Sequence, residues 1–103
     1  MGRNQKNALE SHFVILILHV IKWYSQPLAR SKSWAKSIEN SRMEIAKILS
    51  EHPSLVRLVD LIIPEACLKA IKKAEKEMGF PPNYTNPSKE DLLDKDYKLD
   101  SDN

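Results

Sequence analysis

Leu9-Glu10-Ser11-His12-Phe13-Val14-Ile15-Leu16-Ile17-Leu18-His19-Val20-Ile21-Lys22-Trp23-Tyr24 is the stretch that decides the fold. Within Asn4 to Tyr24, Leu9, Phe13, Leu16, Val20 and Trp23 or Tyr24 recur at the spacing of one helical face. Val14, Leu18 and Ile21 add a second apolar face. A helix apolar on most sides has to be covered on most sides, which is demanding for a chain of 103 residues. The unbroken apolar run is Phe13 to Leu18, His19 interrupts it, and Lys22 closes it. A bilayer span needs roughly 20 apolar residues, so this helix reads as core and not as a membrane segment. Arg3 and Lys6 precede the run as in a signal peptide, but Lys22-Trp23-Tyr24 follows where small residues would be needed for cleavage. The expectation is a cytoplasmic protein with Cys67 as a reduced thiol.

Outward from this helix, Ser25-Gln26-Pro27 is a stop, because proline lacks the amide donor and disfavours helix in the residue before it. A second helix is predicted from Ser31 or Ser33, both good amino-terminal caps, through Trp34, Ile38, Ile45 and Ile48-Leu49 to His52. A third begins at Pro53-Ser54 and has Leu55, Leu58, Ile62, Ala66, Ala70, Ala74 and Met78 on its inner face. Gly79 is its natural carboxy-terminal cap. Pro64 lies inside it and predicts a kink or break at Ile62-Ile63. Phe80 to Pro87 reads as loop, and Ser88-x-x-Asp91 opens a short helix whose Leu92, Leu93 and Tyr97 dock back. The fold class is all-α: a small bundle of three main helices plus a short C-terminal one. Residues 1–99 form a single domain, and 100–103 are a frayed polar end.

Composition narrows the chemistry. Two glycines are too few for a phosphate-cradling loop, and one cysteine excludes an internal disulfide or a cysteine-built zinc site. His12 and His19 stand seven residues apart, about 10 Å along a helix, so they cannot share a metal. Asp91, Asp94 and Asp96 lack the glycine and later glutamate of a calcium loop and read as a solvated face. No catalytic constellation, metal site or cofactor motif emerges. The net charge of +2 hides an asymmetry: residues 1–36 carry six bases and one acid, while 81–103 carry three bases and six acids.

Lys22-Trp23-Tyr24-Ser25-Gln26-Pro27 followed by Arg30-Ser31-Lys32-Ser33-Trp34 crowds rings and cations at one helix corner. One reading is a nucleic-acid surface using Arg3, Lys6, Lys22, Arg30, Lys32 and Lys36, with cations on phosphates and rings on bases. The other is a structural corner of Trp23, Tyr24, Pro27, Ser33, Trp34 and His19. There the two tryptophans grip each other, serines cap the second helix, and His19 is a hydrogen-bonded core residue.

These residues also carry a family likeness. Gly2-Arg3, Ala8-Leu9-Glu10-Ser11, His19, Lys22-Trp23-Tyr24-x-Gln26-Pro27 and Arg30-Ser31-x-Ser33-Trp34 resemble the domain-of-unknown-function family number twenty-nine. So do Pro53-Ser54-Leu55, Gly79-Phe80-Pro81 and Leu92-Leu93-Asp94-x-Asp96. The resemblance implies a small helical bacterial protein with no established activity and no catalytic residue to carry over. It implies further that an acidic amphipathic helix precedes Gly2 in typical members, and that Pro64 departs from the family pattern. On that basis Ile17, Leu18 and Ile21 are expected to form an exposed apolar interaction surface. The leading expectation is therefore a protein-interaction module, binding a second copy or another protein; the alternative is nucleic-acid binding through residues 3–36.

Overall fold

α1 (Gly2–Ser25) takes up the whole decisive stretch. It ends where expected: the Gln26 amide still reaches the Lys22 carbonyl at 2.9 Å, and Pro27 then opens a short 3-10 turn through Ala29. α2 (Lys32–Glu51) starts at Ser31, whose Oγ accepts the Trp34 amide at 3.2 Å. Ser33 is an exposed residue of the first turn, not the cap. Pro53–Leu58 is a 3-10 turn that feeds α3 (Val59–Met78), and Gly79 caps α3 at φ 84°, a left-handed conformation suited to glycine. α4 (Lys89–Leu93) is short and opened by a capping box between Ser88 and Asp91. The computed structural model describes residues 2–99, with side chains from Asn4 onward, and no strand occurs among them. The expected frayed end, 100–103, lies outside the described residues.

The helices form a flat layer, with overall extents of 41 × 31 × 19 Å. α1 is the middle member, with α2 packed along one side and α3 along the other. Residues 80–99, here termed the strap, cross one broad face of this layer. They bond to α3 through Lys89 Nζ to Asp60 at 2.9 Å and Cys67 Sγ to the Thr85 carbonyl at 3.4 Å. They reach α2 where Arg42 donates to the carbonyls of Leu92, at 2.7 Å, and Asp91, at 3.2 Å.

This arrangement corrects two expectations. Ile17, Leu18 and Ile21 are 0, 7 and 0 % exposed, so they are core and present no surface. α2, α3 and the strap enclose α1 on three sides and bury these residues. Nor does Pro64 break α3, which is continuous from Val59 to Met78. Pro64 is solvent-exposed in the second turn, and the irregular geometry falls before it, in the 3-10 turn. The alanines Ala66, Ala70 and Ala74 are fully buried, and their small side chains let the second half of α3 approach its neighbour closely.

Candidate interaction surface

The corner singled out by the sequence is where the strap docks. Tyr24 meets Tyr84 with ring centroids 4.5 Å apart and Tyr97 edge-on at 6.0 Å. Trp23 takes Tyr97 edge-on at 5.5 Å, not Trp34. Arg30 lies over the Trp23 ring at 4.9 Å and donates through Nε to the Trp23 carbonyl at 2.8 Å. Trp34 instead receives Lys22, with Nζ 4.9 Å above its ring. The expected grip between the tryptophans is thus replaced by separate cation–π contacts, because Tyr97 from the far end of the chain fills the space against Trp23. Pro27 is exposed at the start of the turn.

Asp91 is the polar centre of the strap. Its carboxylate accepts the Tyr84 hydroxyl and, at 3.0 Å, the Ser88 amide, while its own amide donates to Ser88 Oγ at 3.0 Å. The Tyr84 hydrogen bond, with those from Ser88, holds the Asp91 carboxyl below the usual carboxylate range against the opposing effect of burial. Burial, and then the bond to Asp91, pushes the Tyr84 phenol up to about 12. Tyr97 is also raised, mainly by burial, and its hydroxyl donates to the Asp91 carbonyl at 2.6 Å. Burial likewise raises the Cys67 thiol, which disfavours the thiolate. His19 donates from Nδ1 to the Ile15 carbonyl at 2.8 Å and is only half-buried, on the side away from the strap. No group of residues among those described is arranged to hold a metal.

The opposite face of the layer is open. The line of α1 there is Ser11 and Ile15, both exposed, then the half-buried His19 and Lys22, with Ile15 at 40 % exposure. Between α1 and α3 runs a groove of about 430 Å³, lined by Glu10, Ser11, Val14, Ile15, Lys69, Lys72 and Lys73. A smaller groove of about 210 Å³, lined by His12, Ser37, Asn40, Ser41 and Glu44, flanks Ile15 on the α2 side. Lys69, Lys72, Lys73 and Lys76 recur at three- and four-residue spacing, which puts four ammonium groups on one side of α3. Lys69 pairs with Glu10 at 3.0 Å, whereas Lys72, Lys73 and Lys76 have no ion-pair partner among the described residues. The sequence reading missed this row. Its spacing was legible, but the even charge balance of residues 37–80, seven bases and seven acids, concealed it.

The six bases proposed for nucleic acid do not form one surface. Lys6 stands near the far end of α1, about 24 Å along the axis from Lys22. Lys22 is paired with Glu77 at 2.8 Å, and Arg30 is bound to the Trp23 backbone. Lys32 and Lys36 line a cleft of about 550 Å³ between α2 and the strap, together with Glu39, Arg42, Asp96 and Lys98. The side chain of Arg3 lies outside the described residues.

The architecture is that of a small all-helical domain: a three-helix layer closed on one face by its own C-terminal strap. The chain belongs to the family described as Domain of unknown function DUF29, whose model matches residues 1–98. No curated protein and no solved structure matches it. No helix among the described residues is long and apolar enough to cross a membrane.

Proposed function

We propose that the chain is a cytoplasmic protein-interaction module whose open face receives an acidic amphipathic helix of a partner protein. The observation that carries this reading is Ile15, 40 % exposed on the floor of a groove walled by lysines. An apolar side chain would fill the groove over Val14 and Ile15 while carboxylates on the flanks meet Lys69, Lys73 and Lys76. The groove lining has no aromatic ring on which a base could stack and no arginine to fork onto phosphate, which favours a protein over a nucleic acid. The single cysteine, present as a free thiol, supports a reducing interior compartment.

The test is recovery of the tagged full chain from its own cells at low salt, beside Ile15→Asp and Lys73→Glu variants of unchanged melting temperature. Retention of an acidic protein whose affinity falls about tenfold or more in each variant is expected, since Ile15 is the central apolar anchor. Retained protein that ignores both substitutions would overturn the reading. So would nuclease-sensitive material as the only retained species.

A further inference from the structure

The two edges of the helical layer differ. On α2 the exposed apolar residues are Met43 and Ala46, which with Lys36 and Glu39 line the cleft beside the strap. The outward edge of α3 carries Leu61 and Leu68, 69 and 65 % exposed. They stand seven residues apart, with Glu65 and Lys72 beside them, and all four fall within about 60° of arc at the helical 100° per residue. Single exposed leucines need no explanation, but two on one line of one helix form a stripe. Glu65 and Lys72, like the leucines, are solvent-exposed, and neither has an ion-pair partner among the described residues.

From this pattern we infer that a second copy of the chain packs on this edge, its α3 antiparallel to the first, about a two-fold axis at Leu68. The register follows from the charges. Glu65 and Lys72 are placed almost symmetrically about Leu68, so the axis sets each Glu65 against the partner's Lys72, twice over. The same register lays each Leu61 along the butyl stem of the partner's Lys76, a covering that lysine supplies while its charge stays in water. The competing antiparallel register, centred on Glu65, would match Leu61 with Leu68 but would oppose the two Glu65 carboxylates and set Arg57 against Lys72. Charge complementarity therefore selects the axis at Leu68. Two layers joined in this way leave Val14 and Ile15 uncovered, while Lys72 and Lys76 border both the groove and the contact between copies. The contact is one helix wide, so the association is weak and dependent on concentration.

Sedimentation equilibrium of the full chain tests this between about 1 µM and 1 mM. The unmodified chain is expected to approach twice the monomer mass at the upper end. Glu65→Lys weakens the association about tenfold or more, because two attractive pairs become two repulsive ones. The double variant Glu65→Lys/Lys72→Glu restores it, as exchanged charges still meet across the axis. Leu68→Glu abolishes it, and circular dichroism checks that each variant keeps its helical fold. A monomer at every concentration would overturn the inference, as would association that survives both single substitutions. Failure of the double variant to restore what Glu65→Lys lost would overturn the register. Sedimentation reads the purified chain alone, and Glu65→Lys and Leu68→Glu leave every residue of the groove lining in place, so either outcome is independent of partner binding at the open face.

Discussion

The two broad faces of α1 are built to opposite rules. On the strap face the central polar groups have an intramolecular use: Asp91 holds Tyr84 and Ser88, Arg42 binds two strap carbonyls, and Lys95 donates to the Tyr24 hydroxyl. Leu92 is fully buried beneath them. On the open face Ile15 stays in water beside Lys72 and Lys73, which have no ion-pair partner among the described residues. The difference teaches where to look for function. The aromatic corner, the most conspicuous pattern in the sequence, is occupied by the molecule itself. The plain lysine row is what remains available.

Three measurements break or sharpen that contrast. Leu92→Ala should have the largest effect, a loss of about 2–5 kcal/mol of stability in urea unfolding, because it empties a fully buried site under the strap. A loss below about 0.5 kcal/mol would mean the strap is not part of the cooperative fold. Arg42→Ala should cost less, about 1.5–3 kcal/mol by thermal or urea unfolding, since one charged donor serves two strap carbonyls. By contrast, Ile15→Asp should shift stability by less than about 0.5 kcal/mol, as a surface change does.

The last and smallest effect is the pH dependence contributed by the strap. Asp91 titrates below the ordinary carboxylate value when folded, chiefly through its bond from Tyr84. Its contribution is therefore complete above the unfolded value of 3.8 and is lost as pH falls through the lower folded value. Tyr84 behaves in the opposite sense: its contribution is complete below pH 10 and is lost as pH rises toward about 12. Unfolding measured against pH in Asp91→Asn should lose the Asp91-linked fall on the acid side. If the variant retains the full acid-side fall, other carboxylates are responsible.

Much of the architecture was legible locally. Ser31 and Ser88 begin helices because their hydroxyls take free amide donors, Pro27 ends one because it has no amide hydrogen, and Gly79 ends another because a left-handed turn costs it little. The apolar periodicity of α1 foretold that it needs cover on most sides. The break allowed for at Pro64 does not occur, because the proline is exposed and lies near the helix start. The candidate surface was less legible. Ile17, Leu18 and Ile21 are no less apolar than Ile15, and composition does not say which of them the neighbours reach.

What the sequence determined by itself about this protein is its set of helices, most of their ends and its family; the third helix, expected from Pro53-Ser54, starts only at Val59, after a 3-10 turn. Those features depend on spacings of a few residues, where caps, prolines and periodicity act directly. Only the tertiary structure decided that Tyr84 and Tyr97 complete the corner around Trp23 and Tyr24, that the strap covers one face of α1, and that Ile15 faces water beside lysines. Those outcomes join side chains far apart in the chain, as Tyr97 and Trp23 are, and Lys95 and Tyr24, seventy-one positions apart. Which contact forms at that separation depends on how whole helices pack and exclude water, and short-range propensity carries no record of it.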